Sequence, residues 1–261
     1  MIQINTIEAR WEHRIHRVKM LSPGLCRVSH GTKRIVVGNE ALTVTAGQWV
    51  LLPPHLPLDI ENIPGSSGYS ASVLNFSQSL FAEFCRSYAQ HFPLPVENSK
   101  VKQWDGIPRD KQRDAAWDRL AISLSSGDAP VLQQHRLNEV LLMLGLSGML
   151  RPLLNLAQRA LSERIKQLLL SDLSGSWSQA KVAAYCCMSA PTLRRHLSAD
   201  GQSFREILDD VRMAQALYYV QSTRRPIEVI AHACGYASAS RFAVRFRKRF
   251  GLSPRSLRNA M

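Results

Sequence analysis

Residues 234–258 read CGYASASRFAVRFRKRFGLSPRSLR, and this stretch decides the fold of the C-terminal part of the chain. Gly235 precedes an aromatic residue and can adopt the left-handed backbone conformation that ends one helix and redirects the chain. Ser238 then offers a hydroxyl to cap a second helix, in which Phe242 and Phe246 lie four residues apart on one face. The pattern predicts two short helices joined by a tight turn.

A second copy of this pattern lies at residues 178–197, which read SQAKVAAYCCMSAPTLRRHL. In both copies a small residue in the first helix allows the second helix to cross closely, and a serine follows the turn as a cap. The corresponding features are Ala184, Cys187-Met188, Ser189 and Leu193/Leu197 in one copy, and Ala231, Gly235-Tyr236, Ser238 and Phe242/Phe246 in the other. The repeat predicts two helix-turn-helix units, at about 178–199 and 226–249.

The residues between the apolar pairs face outward and are basic or small and polar. Arginine can bind a guanine edge through two hydrogen bonds or hold a phosphate. Between Arg241 and Arg258 there are seven basic residues and no acidic one. We therefore predict contacts to double-stranded DNA from Ser189, Thr192, Arg194, Arg195, Ser238, Ser240, Arg241, Arg245, Arg247, Lys248 and Arg249.

The distribution of charge supports a polyanionic partner. The chain carries a net charge of +13; residues 161–261 contain 16 Lys and Arg against 7 Asp and Glu, and residues 1–160 contain 17 against 13. The basic end would attract nucleic acid. On charge alone, a generic basic surface that favours solubility remains an alternative.

A continuous amphipathic helix is predicted between the two units. Phe204, Ile207, Leu208, Val211 and Tyr218 follow one helical face within residues 203–221. Such a helix would be roughly 28 Å long, which suits two helices that enter successive major grooves about 34 Å apart. Upstream, we place a linker at 151–160 and expect Ser162 to cap a helix over 163–173.

The stretch at residues 234–258 resembles the AraC/XylS family. The matching features are Cys234-Gly235-Tyr236, the spaced phenylalanines, the basic run, Gly251-Leu252-Ser253-Pro254 and Leu257-Arg258. The resemblance covers about residues 161–259 and implies seven helices, with recognition helices at Ser189–Ala199 and Ser238–Arg249. It also implies a transcriptional regulator, more often an activator, that contacts RNA polymerase.

Within this resemblance the two units differ. Arg195 matches a position that commonly contacts a base or a phosphate. At the corresponding place in the second unit Val244 is apolar where the family often has Arg, and Ala239 replaces a commonly polar residue. The second unit would therefore grip the DNA backbone or contact a thymine methyl group.

The first 150 residues predict a different domain. Short apolar or β-branched segments separated by Gly and Pro, up to about residue 76, indicate a small barrel or sandwich, and helical periodicity takes over from about 77 to 150. Residues 45–55 look like the second half of a cupin-type motif, but Gln48 stands where that motif usually has Asp. No cluster of His and Glu lies around residues 27–40, and His55 reads as a rim or core residue. The predicted fold class is α+β: a cupin-like β-barrel with helices at 1–150, then an all-α double helix-turn-helix domain at 161–261.

The helix predicted at Val131–Leu150 has two interpretations. Leu137, Leu141 and Leu144 line one of its faces. This face either covers the barrel or forms the seam of a homodimer, and the two interpretations are compatible. By resemblance, the barrel would sense a small effector or mediate dimerisation, although no residue identifies the ligand.

Five cysteines without metal-site spacing suggest buried residues in a reducing compartment. No signal peptide or membrane span is evident, so we expect a cytoplasmic protein. We expect no catalytic residue, metal or cofactor. The alternatives are a cupin-type or cysteine-based enzyme fused to a DNA-binding domain, and a non-specific architectural DNA-binding protein.

Overall fold

The computed structural model describes residues 2–54, 56–92, 106–150, 153 and 160–261. Two four-stranded antiparallel sheets form the N-terminal half, with strand orders β1-β8-β3-β6 and β2-β7-β4-β5. The predicted barrel or sandwich is confirmed, because inward residues such as Ile15, Ile35 and Ile60 alternate with exposed ones. The strands are β1 Ile2–Ala9, β2 His13–Val18, β3 Gly24–His30, β4 Thr32–Val37, β5 Glu40–Thr45, β6 Trp49–Leu52, β7 Leu58–Ile63 and β8 Tyr69–Phe76.

Three helices cover the outside of the first sheet: α1 Gln78–Tyr88, α2 Lys111–Ser125 and α3 Pro130–Leu146, with a 3-10 turn at Ala89–His91 after α1. Trp49 of β6 meets Trp117 of α2 with ring centroids 5.1 Å apart, and its Nε1 donates to Asp114 Oδ1 at 3.2 Å. Trp49 therefore holds α2 on the sheet through a ring contact and through a hydrogen bond from its indole N–H.

The leucine face of α3 is buried inside the chain. Leu137, Leu141 and Leu144 are each fully buried in the same cluster as Trp49 and Trp117. This stripe therefore belongs to the apolar layer between the outer face of the first sheet and its covering helices, and the interpretation of the stripe as a dimer seam does not fit its burial. The apolar side chains that α3 leaves exposed are Val131, Leu132 and Leu146.

The boundary between the domains is only partly described. His55 and most of the predicted linker at 151–160 lie outside the described residues, while Leu153 is buried. The predicted cap at Ser162 is wrong. The helix already begins at Ala160, so Ser162 lies inside it, buried, with its hydroxyl donating to Gln202 Oε1 at 2.9 Å.

Seven helices occupy the described residues 160–261, in agreement with the predicted number. The linking helix carries a capping box in which Ser203 and Glu206 each bind the other's backbone N–H. The helices are α4 Ala160–Ser171, α5 Gln179–Tyr185, α6 Ala190–Ala199, α7 Phe204–Ser222, α8 Ile227–Ala233, α9 Ala239–Phe250 and α10 Pro254–Ala260.

The barrel and the second helix-turn-helix unit share one hydrophobic core. Ile15 and Val18 of β2 belong to the same buried cluster as Phe246 and Phe250 of α9. At the edge of this contact the backbone N–H groups of residues 10 and 11 both donate to the Ala260 carbonyl, at 2.9 and 3.1 Å. The second unit is therefore docked against the barrel.

Candidate nucleic-acid interface and interdomain cavity

The two predicted recognition helices are α6 and α9, and both begin with a serine cap. Ser189 Oγ accepts from the Thr192 backbone N–H at 3.2 Å, and Ser238 Oγ accepts from that of Arg241 at 3.4 Å. Both serines were predicted to contact DNA. Their hydroxyl oxygens instead serve the first turn of their own helices, and their contact to DNA remains a prediction.

The two turns differ in backbone chemistry. Gly235 has φ +77°, and a Cβ at this position would lie 2.6 Å from the Leu173 carbonyl oxygen. Cys187 holds the equivalent position at φ +57°, where a side chain costs about 1–2 kcal/mol. The first turn therefore carries strain that the second avoids.

We expect Cys187→Gly to stabilise the chain by about 1 kcal/mol, because glycine relieves this strain at an exposed site. Gly235→Ala is the matched opposite change, and it should destabilise the chain by at least as much, since the new Cβ meets a backbone carbonyl. Urea unfolding of both variants measures the two changes. A destabilised Cys187→Gly variant would contradict the assignment of strain.

The outward faces of α6 and α9 are exposed and basic. In α6, Leu193 and Leu197 are buried, whereas Arg194 and Arg195 point into solvent. In α9, Phe242 and Phe246 are buried. The exposed residues of α9 are Ser240, Arg241, Val244, Arg245, Arg247 and Lys248. The structure thus brings most of the predicted contact residues onto two outward faces.

Two of the predicted arginines are held by acidic residues of α7. Arg245 Nε donates to Asp209 Oδ1 at 2.9 Å, and this hydrogen bond raises the pKa of the guanidinium. Arg249 Nη2 donates to Asp210 Oδ1 at 2.6 Å, and its side chain is only 12% exposed. In this arrangement Arg249 faces the linking helix and the barrel, away from the outward surface.

Asp210 also binds the barrel. Lys19 Nζ donates to Asp210 Oδ2 at 2.8 Å, while Arg249 Nε donates to the Arg17 carbonyl at 3.2 Å. One carboxylate therefore joins the barrel, the linking helix and the second recognition helix. These paired charges are largely shielded from solvent, so the screening that weakens surface ion pairs is reduced here.

The linking helix also fixes the two units relative to each other. Arg212 of α7 donates to the Leu173 carbonyl at 3.2 Å and to the Gly175 carbonyl at 3.0 Å. The same guanidinium lies against Gly235, the turn of the second unit. The linking helix has 19 residues and so spans roughly 28 Å, the length predicted for it, while the separation of the two recognition helices stays a prediction.

A cavity of about 610 Å³ lies between the barrel and α7. Its walls come from both sheets and from the linking helix, and they are mainly apolar: Ile7, Leu52, Ile60, Val73, Leu217 and Tyr219 contribute. Tyr218 of α7 donates to Asn5 Oδ1 of β1 at 3.2 Å across this space. The volume suits a small organic ligand.

A buried lysine lines this cavity. Lys33 is 3% exposed, its Nζ donates to Asn62 Oδ1 at 2.7 Å and lies 5.3 Å from the centre of the Tyr69 ring. No carboxylate of the described residues lies within ion-pair distance of it. Burial lowers the pKa of this ammonium group, since the charged form loses its hydration.

Sequence reasoning missed Lys33, although a signal was available. In strand β4, Lys33 and Ile35 are two residues apart and share the inward face. An inward lysine on a predicted strand marks a polar site in the barrel. Its partner Asn62 is not identifiable in this way, because the pairing of β4 with β7 sets that contact.

The cupin-type segment shows no donor set for a metal. Gln48 replaces the Asp that is usual in that motif. Its Oε1 accepts a hydrogen bond from the Thr45 backbone N–H at 2.8 Å, which closes the turn between the two residues. No group of three or more His, Cys, Asp or Glu within reach of one metal ion occurs among the described residues. In the same residues, no helix has the length and apolar character needed to cross a membrane.

An antiparallel barrel joined to two helix-turn-helix units defines a two-domain transcriptional regulator. A family model described as the AraC-like ligand binding domain matches residues 6–144, and a helix-turn-helix domain model matches residues 182–260. The chain belongs to the AraC-type family of transcriptional regulators.

Curated relatives match through the DNA-binding end. The transcriptional regulator SirC of Salmonella typhimurium is 36% identical over 99 residues, 38% of this chain and 34% of that protein. The urease operon transcriptional activator of Escherichia coli is 33% identical over 97 residues, 37% of this chain and 33% of that protein. The chain thus spans about a third of the length of these curated relatives.

Solved structures of ToxT from Vibrio cholerae resemble the whole chain. The apo form of a ToxT variant has a TM-score of 0.69 at 18% identity, with 99% of this chain and 97% of that chain covered. A ToxT structure with bound unsaturated fatty acid has a TM-score of 0.63 at 18% identity, covering 100% and 95%. These likenesses confirm the two-domain fold.

Proposed function

We propose that this protein is a sequence-specific transcriptional regulator, and an activator, whose two recognition helices bind adjacent half-sites on one face of DNA. The observation that carries the proposal is the matched pair of capped helices, α6 and α9, each with a buried apolar pair and an exposed basic face. Their connection by a 19-residue helix supports binding in successive major grooves.

Arg195→Ala tests the DNA-reading part of this proposal. Because Arg195 lies opposite the buried Leu193 and Leu197, we expect the variant to lose about 1–3 kcal/mol of specific binding free energy. Arg86→Ala, an exposed arginine on α1, is the matched control and should bind as the unchanged chain does. Fluorescence anisotropy with a duplex obtained by binding-site selection gives both affinities.

Unchanged affinity of Arg195→Ala for the selected duplex would remove this residue from the reading face. Equal affinity of the unchanged chain for a scrambled duplex would favour the alternative, a non-specific architectural protein. Both duplexes must be measured at the same salt concentration, since phosphate contacts weaken as the ionic strength rises.

The interdomain cavity binds a small amphipathic carboxylic acid in this proposal. Lys33 offers a buried positive charge, and Asn5 Nδ2 is a buried donor that has no partner among the described residues. The mainly apolar walls suit a hydrocarbon chain. The ligands bound in the ToxT structures, an unsaturated fatty acid and a substituted butenoic acid, have this chemistry.

A ligand in this cavity would regulate DNA binding through the linking helix. It would contact the barrel and α7 together, and so stabilise the arrangement in which Asp210 holds Arg249. We therefore propose that the ligand lowers affinity for DNA. Saturable binding of an unsaturated fatty acid in calorimetry supports this role, and absence of binding contradicts it.

Family membership supports the remaining parts of this proposal. The regulator acts in the cytoplasm, contacts RNA polymerase and has no catalytic activity in this proposal. A homodimer would form through the exposed apolar residues of the segment Val131–Leu150, which are Val131, Leu132 and Leu146. A monomer in sedimentation experiments that persists on DNA would count against this dimer.

A further inference from the structure

The central outward position of each recognition helix is defined by the helix geometry. At 3.6 residues per turn, Arg195 stands about 160° round the axis of α6 from each of Leu193 and Leu197. Val244 stands at the same angle from Phe242 and Phe246 in α9. Because both apolar pairs are buried, these two residues project furthest from the core of their units.

Val244 is an apolar residue at the centre of a polar face. Its side chain is 71% exposed, and the exposed neighbours on the same face are Ser240, Arg241, Arg247 and Lys248. Those neighbours carry donors for phosphates or base edges. Valine carries none, so on DNA its methyl groups can gain binding energy only from an apolar partner.

A major groove offers one such partner among the four bases, the C5-methyl group of thymine. We propose that Val244 is a specificity-determining residue that contacts a thymine methyl group at the centre of the second half-site. This inference rests on the proposed function, because it requires α9 to enter the major groove. The two half-sites then differ in chemistry, with an arginine position in one and a methyl-reading position in the other.

The test removes the methyl group from the DNA and the valine methyls from the protein separately. In the selected duplex, each thymine of the second half-site is replaced in turn by deoxyuridine, which lacks only the C5-methyl group. We expect one position at which this change weakens binding by about three- to tenfold, the scale of one buried methyl contact. Val244→Ala should lose that sensitivity to deoxyuridine.

Two controls separate this contact from general effects. Val229→Ala changes an exposed valine on the first helix of the same unit, and it should keep the full sensitivity to deoxyuridine. Arg195→Ala should lose overall affinity and yet keep the sensitivity within the second half-site. Both outcomes support a contact that belongs to Val244.

The inference is overturned if no thymine of the second half-site responds to deoxyuridine, or if Val244→Ala responds as strongly as the unchanged chain. In either case, specific binding of the unchanged chain leaves the proposed function standing. A chain that binds the selected and scrambled duplexes equally would overturn the proposed function together with this inference.

Discussion

Replacement of Lys33 by methionine should weaken binding of a long-chain carboxylate by about 30- to 3,000-fold, the range found when one partner of a buried charge pair is removed. In the proposed site the charge that would bind the carboxylate belongs to Lys33, which is buried beside Asn62 and Tyr69. Methionine has a similar size and keeps the apolar packing. The loss would therefore be electrostatic, and calorimetry with oleate measures it.

Three comparisons isolate the charge in this experiment. Oleyl alcohol has the same hydrocarbon chain without the carboxylate, and it should bind both proteins weakly and equally. Lys248→Met changes an exposed lysine on α9, so it should bind oleate as the unchanged chain does. Oleate should lower the DNA affinity of the unchanged chain and leave that of Lys33→Met unaffected. Equal oleate affinity of Lys33→Met and the unchanged chain would remove Lys33 from the site.

The same substitution separates ligand binding from folding. Burial lowers the pKa of Lys33, so between its folded and ordinary pKa the unfolded chain binds more protons. The stability of the unchanged chain therefore rises with pH through that window. Lys33→Met should remove this rise and be at least as stable at neutral pH, because it buries no charge. A variant that folds well and does not bind the carboxylate thus has a specific defect.

The predictable parts of this fold are those whose signals are local. Ser178, Ser189, Ser203, Ser238 and Ser253 each accept from the backbone N–H three residues further on, and each begins a helix. A cap of this kind can be found in a few residues of sequence. The apolar pairs of α6 and α9 are equally local, which explains why the sequence predicts both helices correctly. The small residue of the first unit is wrong, because Ala183 is buried in the position of Ala231 and the predicted Ala184 is exposed.

Local signals fail where another segment competes for the same side chain. Ser162 is followed by a helical pattern, yet α4 starts earlier and the hydroxyl binds Gln202, 40 residues away. The leucine face of α3 predicts burial without identifying the surface that covers it, and here that surface is the apolar layer formed by α1, α2 and the outer face of the first sheet. Periodicity identifies an apolar face, whereas its partner is a property of the tertiary structure.

The contacts between the barrel and the second unit lie beyond sequence reasoning for the same reason. Lys19 and Asp210 are separated by 191 residues, and their ion pair depends on how the second unit docks against β2. The sequence presents Arg245 and Arg249 as members of one basic run. Only the fold shows that both pair with acidic residues of α7, and that Arg245 stays exposed while Arg249 is largely buried.

The docking of the second unit predicts the largest effect on stability. Phe246 is fully buried between Phe242 and Phe250, with ring centroids 5.6 and 4.6 Å away, in the cluster that continues into the barrel. Truncation of a buried phenylalanine leaves a cavity that neighbouring side chains fill only partly. We therefore expect Phe246→Ala to lower the free energy of unfolding by about 3–5 kcal/mol.

Val244→Ala is the matched control, because it truncates an exposed residue two positions earlier on the same helix and should change stability by less than about 0.5 kcal/mol. Urea unfolding followed by far-UV circular dichroism and by tryptophan fluorescence measures both variants. No tryptophan occurs in the second unit, which contains Phe246, because all five tryptophans precede residue 178 in the sequence. A parallel shift of both signals with Phe246→Ala would indicate that the docked second unit and the barrel unfold together. A loss below about 1 kcal/mol would contradict the packing that holds α9 against β2.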